Sequence, residues 1–522
     1  MTSQSAPPAD RLRASYDAAP YDSWPITASH IDRLATIARL HGIAAPGADR
    51  CRVLEIGCGT GGNLLPLALE FPQSTFLGTD FSSAQIAIGE RERAVIGISN
   101  LRLEPTNVED LDASAGEFDY IICHGVFSWV PPRVQDAILR VCSTNLAPNG
   151  VAYVSYNVYP GWHVRMIVRE ILLANDDADL PPSERVARAR SLAASLEQAS
   201  AGKSDPYRKG LFEEMRAIRY QHDSYVLHEQ LEDVNSPISF SDFMRRAERC
   251  QLQFLSEAKW FHRTVSIREE RPDGDAPVDW LRAEQLSDYV VGRTFRETLL
   301  CHDGVAVNRQ LDTTVVRAMR AVISAARVAT AGDAPATTGA LETFRSADGG
   351  EISTEHPLVS AIIHTLGEAE PAALPFDDIV AGARRRLAER AAPVAEHDET
   401  EVAEVVVRLA SAGLITLRST SPGFVAHVSR RPTASPLARL QARRGRFVSS
   451  LTHRQIALSA LEQTLMPLLD GTRDRHALID IVAAEIAAGR LTASAEMSGG
   501  DAVAHAVDGL LRRLCMVGLL VA

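Results

Sequence analysis

VLEIGCGTGGN, residues 53–63, is the stretch on which the fold turns. Val53, Leu54 and Ile56 form a short apolar run, and glycines follow at 57, 59, 61 and 62. The run reads as a buried parallel strand. The glycines read as a sharp strand-to-helix turn where backbone comes close to a ligand. Working outward, Asn63–Glu70 is helical and STFLGTD (74–80) is a second strand. Ser82–Val95 is a helix with Ser82 or Ser83 as cap, and LRLE (101–104) and FDYIICHG (118–125) are the third and fourth strands. Pro131–Leu146 opens with proline as a helix does, and VAYVSY (151–156) is the fifth strand. Five βα units in this order predict an α/β fold, a doubly wound parallel sheet with right-handed crossovers.

Gly57, Gly59 and Gly62 also satisfy GxGxxG, which is weak evidence alone. A dinucleotide would present pyrophosphate to the helix N-terminus. S-adenosylmethionine presents a cationic amino-acid end, a sulfonium and an adenosine. Glu55, late in the first strand, suits that cationic ligand and repels a pyrophosphate. Asp80, ending the second strand, can accept from both ribose hydroxyls. Asn107 can address the adenine edge, with Val108 packing on the ring. Cys58, Asn63, Phe81 and His124 complete the candidate cofactor set.

In an open α/β sheet the ligand lies beyond the carboxyl ends of the strands. An acceptor should therefore approach ICHGVFSWVPP (122–132) and YVSYNVYPGWH (153–163). Trp129, Tyr156, Tyr159 and Trp162 cluster there, and aromatic faces stabilise cations. Tyr16 and Tyr21 of the leader are candidates for a lid. His124 can accept a proton or orient the acceptor, and it can equally do no more than close the cofactor pocket. Asn157 can accept a hydrogen bond from an amine. Trp129 and Trp162 fit acceptor contact or core packing. The candidate catalytic set is His124, Tyr156, Asn157, Tyr159 and Trp162.

EIGCGTGG with Asp80 resembles motifs I and II of class I S-adenosylmethionine-dependent methyltransferases. CHGVFSWVPP, SYNVYPGWH, YVLHEQLEDVNSPISF and FRETLLCHDG resemble the methyltransferases that carry a so-called regulatory domain. PYDSWP (20–25) and His30 resemble that family's N-terminal segment, although Ile31 stands where proline is usual. Rickettsial-type lysine methyltransferases acting on outer-membrane proteins are similar. The resemblance implies a seven-stranded-type methyltransferase sheet, S-adenosylmethionine as cofactor and an inserted helical region linked to dimerisation, hence a homodimer. It also implies C-terminal domains that help hold a protein substrate through its lysine. The alternatives are a small-molecule methyltransferase, and a non-catalytic S-adenosylmethionine-binding regulator.

The remaining chain is mostly helical. An aromatic leader and helix occupy 1–50, the methyltransferase domain 51–270, and a helical insertion 157–222 within it. Ser241–Cys250 reads as a helix and QLQFLSEA (251–258) as the sheet's far edge, so the sheet is expected to close near residue 270. A helical connector over 271–350 carries a Gly349-Gly350 hairpin signal. Two segments, 351–430 and 431–522, each give three helices and then a short apolar strand after Gly413 or Gly518. That is a winged-helix-like layout with weak internal duplication. All expected cofactor contacts fall before residue 160, so a chain truncated after residue 310 is expected to keep cofactor binding largely intact.

The 522 residues carry 54 Lys plus Arg against 66 Asp plus Glu, a formal charge of -12, which argues against nucleic acid as the main partner. The basic residues at 430, 431, 439, 443, 444 and 446 read as a solvated linker. Seven scattered cysteines make no metal-ligand spacing and fit a reducing compartment. No stretch has the length of a membrane span or a signal-peptide core. These features predict a cytoplasmic protein without a metal.

Overall fold

The computed structural model describes residues 23–202, 205–259, 279–328, 341–347, 349–389, 398–492 and 502–522. Tyr16 and Tyr21, expected as a lid, lie outside these residues. The sheet has seven strands: β1 (Arg52–Ile56), β2 (Thr75–Asp80), β3 (Leu101–Pro105), β4 (Phe118–Cys123), β5 (Leu146–Asn157), β6 (Leu252–Glu257) and β7 (Phe295–His302). Their spatial order is β3-β2-β1-β4-β5-β7-β6. β1 to β5 pair in parallel, and β7 runs antiparallel between β5 and β6. The sheet is therefore mixed. Helices Leu64–Glu70, Ser83–Ile96 and Pro132–Thr144 make the crossovers, and Ser82 caps the second by accepting from the Gln85 N–H.

The placement of β7 corrects the expectation of a helical connector over 271–350 and of a sheet closing near residue 270. Helix Trp280–Val291 is there, but the chain then returns to the sheet through Phe295–His302. A buried strand normally reads as an apolar run, and FRETLLCH carries Arg296 and Glu297. Both are buried because tertiary partners neutralise them. Arg296 pairs with Glu257 at 2.6 Å, Asp288 at 2.8 Å and Glu284 at 2.9 Å. Fifth-strand pairing also starts earlier than VAYVSY, at Leu146, with a register shift opposite Phe118–Tyr120.

The insertion is helical as read: Trp162–Leu173, Pro182–Ser200 and Pro206–Tyr220 enclose a small core around Val168, Leu172, Met215 and Val226. Downstream, helices Pro357–Ala369, Phe376–Glu389 and Glu399–Ser411 precede a strand Ile415–Arg418. That strand pairs with Arg320–Ile323, so residues from the expected connector complete its small antiparallel sheet. A strand hairpin forms across Gly349, whose φ is 91°. The last segment repeats the plan with Ala460–Leu465, Arg475–Ala487 and Ala502–Met516. Both third helices end before a left-handed glycine, Gly413 at φ 71° and Gly518 at φ 69°, as glycine C-caps do. Among the described residues, no helix is long and apolar enough to cross a membrane.

The C-terminal segments pack against the methyltransferase side. Leu437 packs in the core behind β1 and helix Ile31–Leu40, and Leu40 packs in the core of the 357–411 helices. Arg444, expected in a solvated linker, pairs with Glu92 of the crossover helix. Arg418 lies buried between two methyltransferase-side carboxylates, Glu70 and Asp32. The Asp32 carboxylate also accepts from the Ser419 N–H and the Thr420 hydroxyl, each at 3.0 Å.

Candidate functional site

The glycine turn leaves β1 with the N–H groups of Gly57 and Cys58 donating to the Thr79 carbonyl at 2.8 and 3.0 Å. Gly57 and Gly59 have φ of 72° and 56°, a region side-chain-bearing residues rarely adopt. At Gly57 a Cβ would also stand 2.3 Å from the Val126 side chain. The turn aims backbone at the Asp80 carboxylate, whose Oδ2 accepts from the Gly59 N–H and Oδ1 from the Ser82 N–H, both at 2.8 Å. These two fixed donors orient the Asp80 carboxylate.

Glu55 lies one turn deeper. Its Oε1 accepts from the Asn63 side-chain N–H at 2.9 Å, while Oε2 is buried with no hydrogen-bond partner among the described residues. Burial pushes its carboxyl up to about 8, against the lowering effect of Asn63. Cys58 is buried beneath the turn, with its thiol pushed well up by burial. Among the described residues, the leader covers this turn through Ser23 and Ile26. Ser23 accepts from the Gly62 N–H at 3.0 Å, and the Ile26 N–H donates to Asn63 Oδ1 at 2.9 Å.

Asn107 uses its carbonyl on the Glu109 N–H at 3.1 Å and so shapes the turn after β3. Val108 is buried in the core beside β4, and Phe81 is half-buried.

At the other end of the strand edge, His124 Nδ1 is 2.8 Å from the Tyr153 hydroxyl, which donates to Glu297 Oε1 at 2.9 Å. Lys259 pairs with the second Glu297 oxygen at 2.8 Å. The hydroxyl proton is committed to Glu297, so His124 donates from Nδ1 and keeps its Nε2 lone pair. Burial pushes His124 down to about 4, leaving it neutral at ordinary pH.

The aromatic wall divides. Tyr156 is fully buried, stacked on Phe243 at 4.0 Å and bonded to the Thr298 hydroxyl at 3.0 Å, so it stands in the core and not at the opening. Trp162 is 1% exposed and meets Trp129 edge-on at 6.2 Å, the packing alternative. Tyr159 is half-buried, stacked on His163 at 4.4 Å. The Asn157 side chain donates to Asn235 Oδ1 at 3.1 Å, and the buried Asn235 amide nitrogen has no partner among the described residues.

Tyr153, Glu297, Asn235 and Ser23 are absent from the sequence-derived site. Glu297 was out of reach because its strand reads as helical. Asn235 sits in YVLHEQLEDVNSPISF, a stretch that marks the family without marking its side chain. A more distant omission is His453, whose Nε2 lies 2.7 Å from Asn63 Oδ1. The hairpin Phe447–Ser449/Gln455–Ala457 folds back to bring that ring to the glycine turn.

Family models match three parts of the chain: a methyltransferase domain over 54–152, a "predicted methyltransferase regulatory domain" over 222–302, and a "PKMT, C-terminal winged helix domain" over 430–515. An uncharacterized protein of Rickettsia prowazekii (strain Madrid E) is 30% identical over 494 residues, covering 92% of this chain and 88% of its own. The chain belongs to this family of S-adenosylmethionine-dependent methyltransferases. A second uncharacterized Rickettsia prowazekii protein is 37% identical over 243 residues, 47% of this methyltransferase and 97% of its own chain. The structure of PKMT2 from Rickettsia typhi superposes with a TM-score of 0.82 at 27% identity, covering 96% of this methyltransferase and all of that chain. The same protein in complex with AdoHcy gives 0.80 at 26% identity and the same 96% of this chain. The cofactor of the methyltransferase is S-adenosylmethionine. The residues present fit it, since the Glu55 oxygen without a partner among the described residues is what a ligand ammonium would complete.

Proposed function

We propose that this methyltransferase acts on the lysine side chains of a protein. The observation that carries this reading is the likeness to PKMT2, whose name abbreviates protein lysine methyltransferase, extending over 96% of the chain and so over the C-terminal domains.

In this reading Glu55, with Asn63 behind it, takes the cofactor's ammonium. Asp80 takes the ribose hydroxyls, and Gly57, Cys58 and Gly59 supply close backbone. Phe81, Asn107 and Val108 border the adenine. The bound cofactor supplies an electrophilic methyl on a sulfonium.

The acceptor nitrogen needs a lone pair, and a lysine ammonium ordinarily loses its proton near pH 10.4. His124, held at about 4, is too weak a base to take that proton near neutrality. Its role is to accept an N–H of the neutral amine at Nε2 and orient it, with Tyr153 and Glu297 holding the tautomer. The proton leaves to solvent. Tyr159 offers an aromatic face to the amine, Asn157 and Asn235 offer amides, and Tyr156 and Trp162 support from the core. In-line transfer depends chiefly on such positioning.

The test incubates the full chain with lysate and a methyl-labelled donor. Label on protein lysines, located by mass spectrometry, is the expected result. Label confined to small molecules points to the small-molecule alternative, and no label overturns the enzymatic reading of this site.

A further inference from the structure

His453 sits at the turn of a strand hairpin in the C-terminal winged-helix domain, and it is 1% exposed. Its φ is 58°, a conformation that costs energy outside glycine. The turn is tied at both ends: the His453 N–H donates to the Ser450 carbonyl at 3.1 Å, and its carbonyl accepts from the Thr27 hydroxyl at 2.9 Å. The ring meets His30 edge-on at 5.2 Å.

Packing alone does not account for the Nε2 contact. Asn63 has one amide, and its four partners determine which way it faces. The Ile26 backbone N–H is only a donor, so the Asn63 oxygen must lie toward it. His453 Nε2 points at the same oxygen and therefore carries a proton. The amide nitrogen is left to donate to Glu55 Oε1 at 2.9 Å and to the Ser29 hydroxyl at 3.1 Å. Burial, with His30 nearby, pushes His453 well below the ordinary histidine range, which keeps it a neutral donor. The chain of contacts runs from the C-terminal domain to the carboxylate whose other oxygen has no partner among the described residues.

We propose that His453 is a positioning residue for the cofactor's amino-acid end, acting through Asn63 on Glu55. This rests on the assignment of Glu55 to the cofactor's cationic end. It makes the C-terminal winged helix part of the cofactor site as well as a platform for substrate. A neutral hydrogen bond of this kind corresponds to about two- to tenfold in affinity.

The experiment is titration calorimetry on the full chain with two probes. S-adenosylhomocysteine carries the amino-acid end, and 5′-methylthioadenosine lacks it while keeping the ribose and adenine. His453→Phe keeps the ring volume and removes the donor, and His453→Gln keeps a donor at similar reach. His453→Asn tolerates the left-handed backbone but falls short of Asn63, so it serves if the phenylalanine variant does not fold. The expected result is S-adenosylhomocysteine weakened about two- to tenfold by Phe and Asn and restored by Gln. Methylthioadenosine should stay within about twofold of the parent throughout. Unchanged S-adenosylhomocysteine affinity in the folded variants overturns the proposal, as does an equal loss for both probes. Asp80→Ala separates the two layers. If it weakens neither probe, the cofactor assignment itself fails; if it weakens both while the His453 variants weaken neither, only the role of His453 fails.

Discussion

The two ends of the strand edge are built on opposite plans. At the cofactor end, β1 and β2 each deliver one carboxylate, and backbone N–H groups or a single amide hold it. Glu55 and Asp80 need only short side chains and a tight turn. At the proposed acceptor end a hydrogen-bonded line runs through long side chains from three places in the sequence: His124 after β4, Tyr153 on β5 and Glu297 on β7. Its aromatics mostly point back into the core. The first end is a local device, built from one turn and the two strands beside it. The second exists only once the sheet has closed. A further contrast lies above them, because the cofactor end also carries the joint to both C-terminal segments.

The largest expected effect tests that joint. Arg418→Met leaves Glu70 and Asp32 as buried, unpaired carboxylates, and breaking such a pair costs about 3–5 kcal/mol. Denaturant unfolding should lose that much, and a loss under about 1 kcal/mol would show that the joint is not integral. Acid should reveal the same contacts. Burial alone would raise the Glu70 carboxyl, yet Arg418 and His30 hold it down at about 2. Its contribution is therefore present above pH 4.5, the ordinary value for a glutamate, and is lost as pH falls toward 2. The Arg418→Met chain should show a weaker acid dependence.

Next in size, Asp80→Ala should weaken the cofactor by at least about tenfold, since hydrogen bonds to a charged group are worth roughly 1.5–3 kcal/mol each. The acceptor's KM should barely move. A shift in KM alone would break the division between the two ends.

A third effect is linked to protons. Glu55 rests at about 8 without ligand, so near pH 7 it is mostly protonated and must ionise to meet a ligand ammonium. Binding should release about one proton, and affinity should rise by up to about tenfold from pH 6 to 7. Above about pH 8 the ligand's own amine loses charge and the gain stops. Calorimetry in buffers of different ionisation enthalpy reads the proton count directly. Glu55→Gln should release none, and an unchanged count in that variant would remove Glu55 from the ligand.

The smallest effect belongs to the acceptor end. Tyr153→Phe deletes the hydroxyl that fixes the His124 tautomer. A net hydrogen bond of about 1 kcal/mol corresponds to roughly fivefold in turnover. Cofactor affinity should stay within about twofold. Equal losses in both would merge the two ends into one site.

The sequence by itself determined the left half of the sheet and its ligand. Glu55, Gly57, Gly59 and Asp80 lie within a turn or two of their own strand, so spacing alone places them, and the helical insertion and repeated three-helix plan follow from local periodicity. What it left open is whatever depends on a partner distant in the chain. FRETLLCH reads as helical because its charges look exposed until Asp288, Glu257 and Glu284 surround Arg296. Tyr156 and Trp162 resemble acceptor residues until Phe243 and Trp129 cover them. His453 lies 390 residues from Asn63, and the basic stretch before it reads as linker. Only the tertiary structure decided these, because an aromatic or charged side chain takes its meaning from the surface that packs against it. A glycine turn carries its geometry in the backbone.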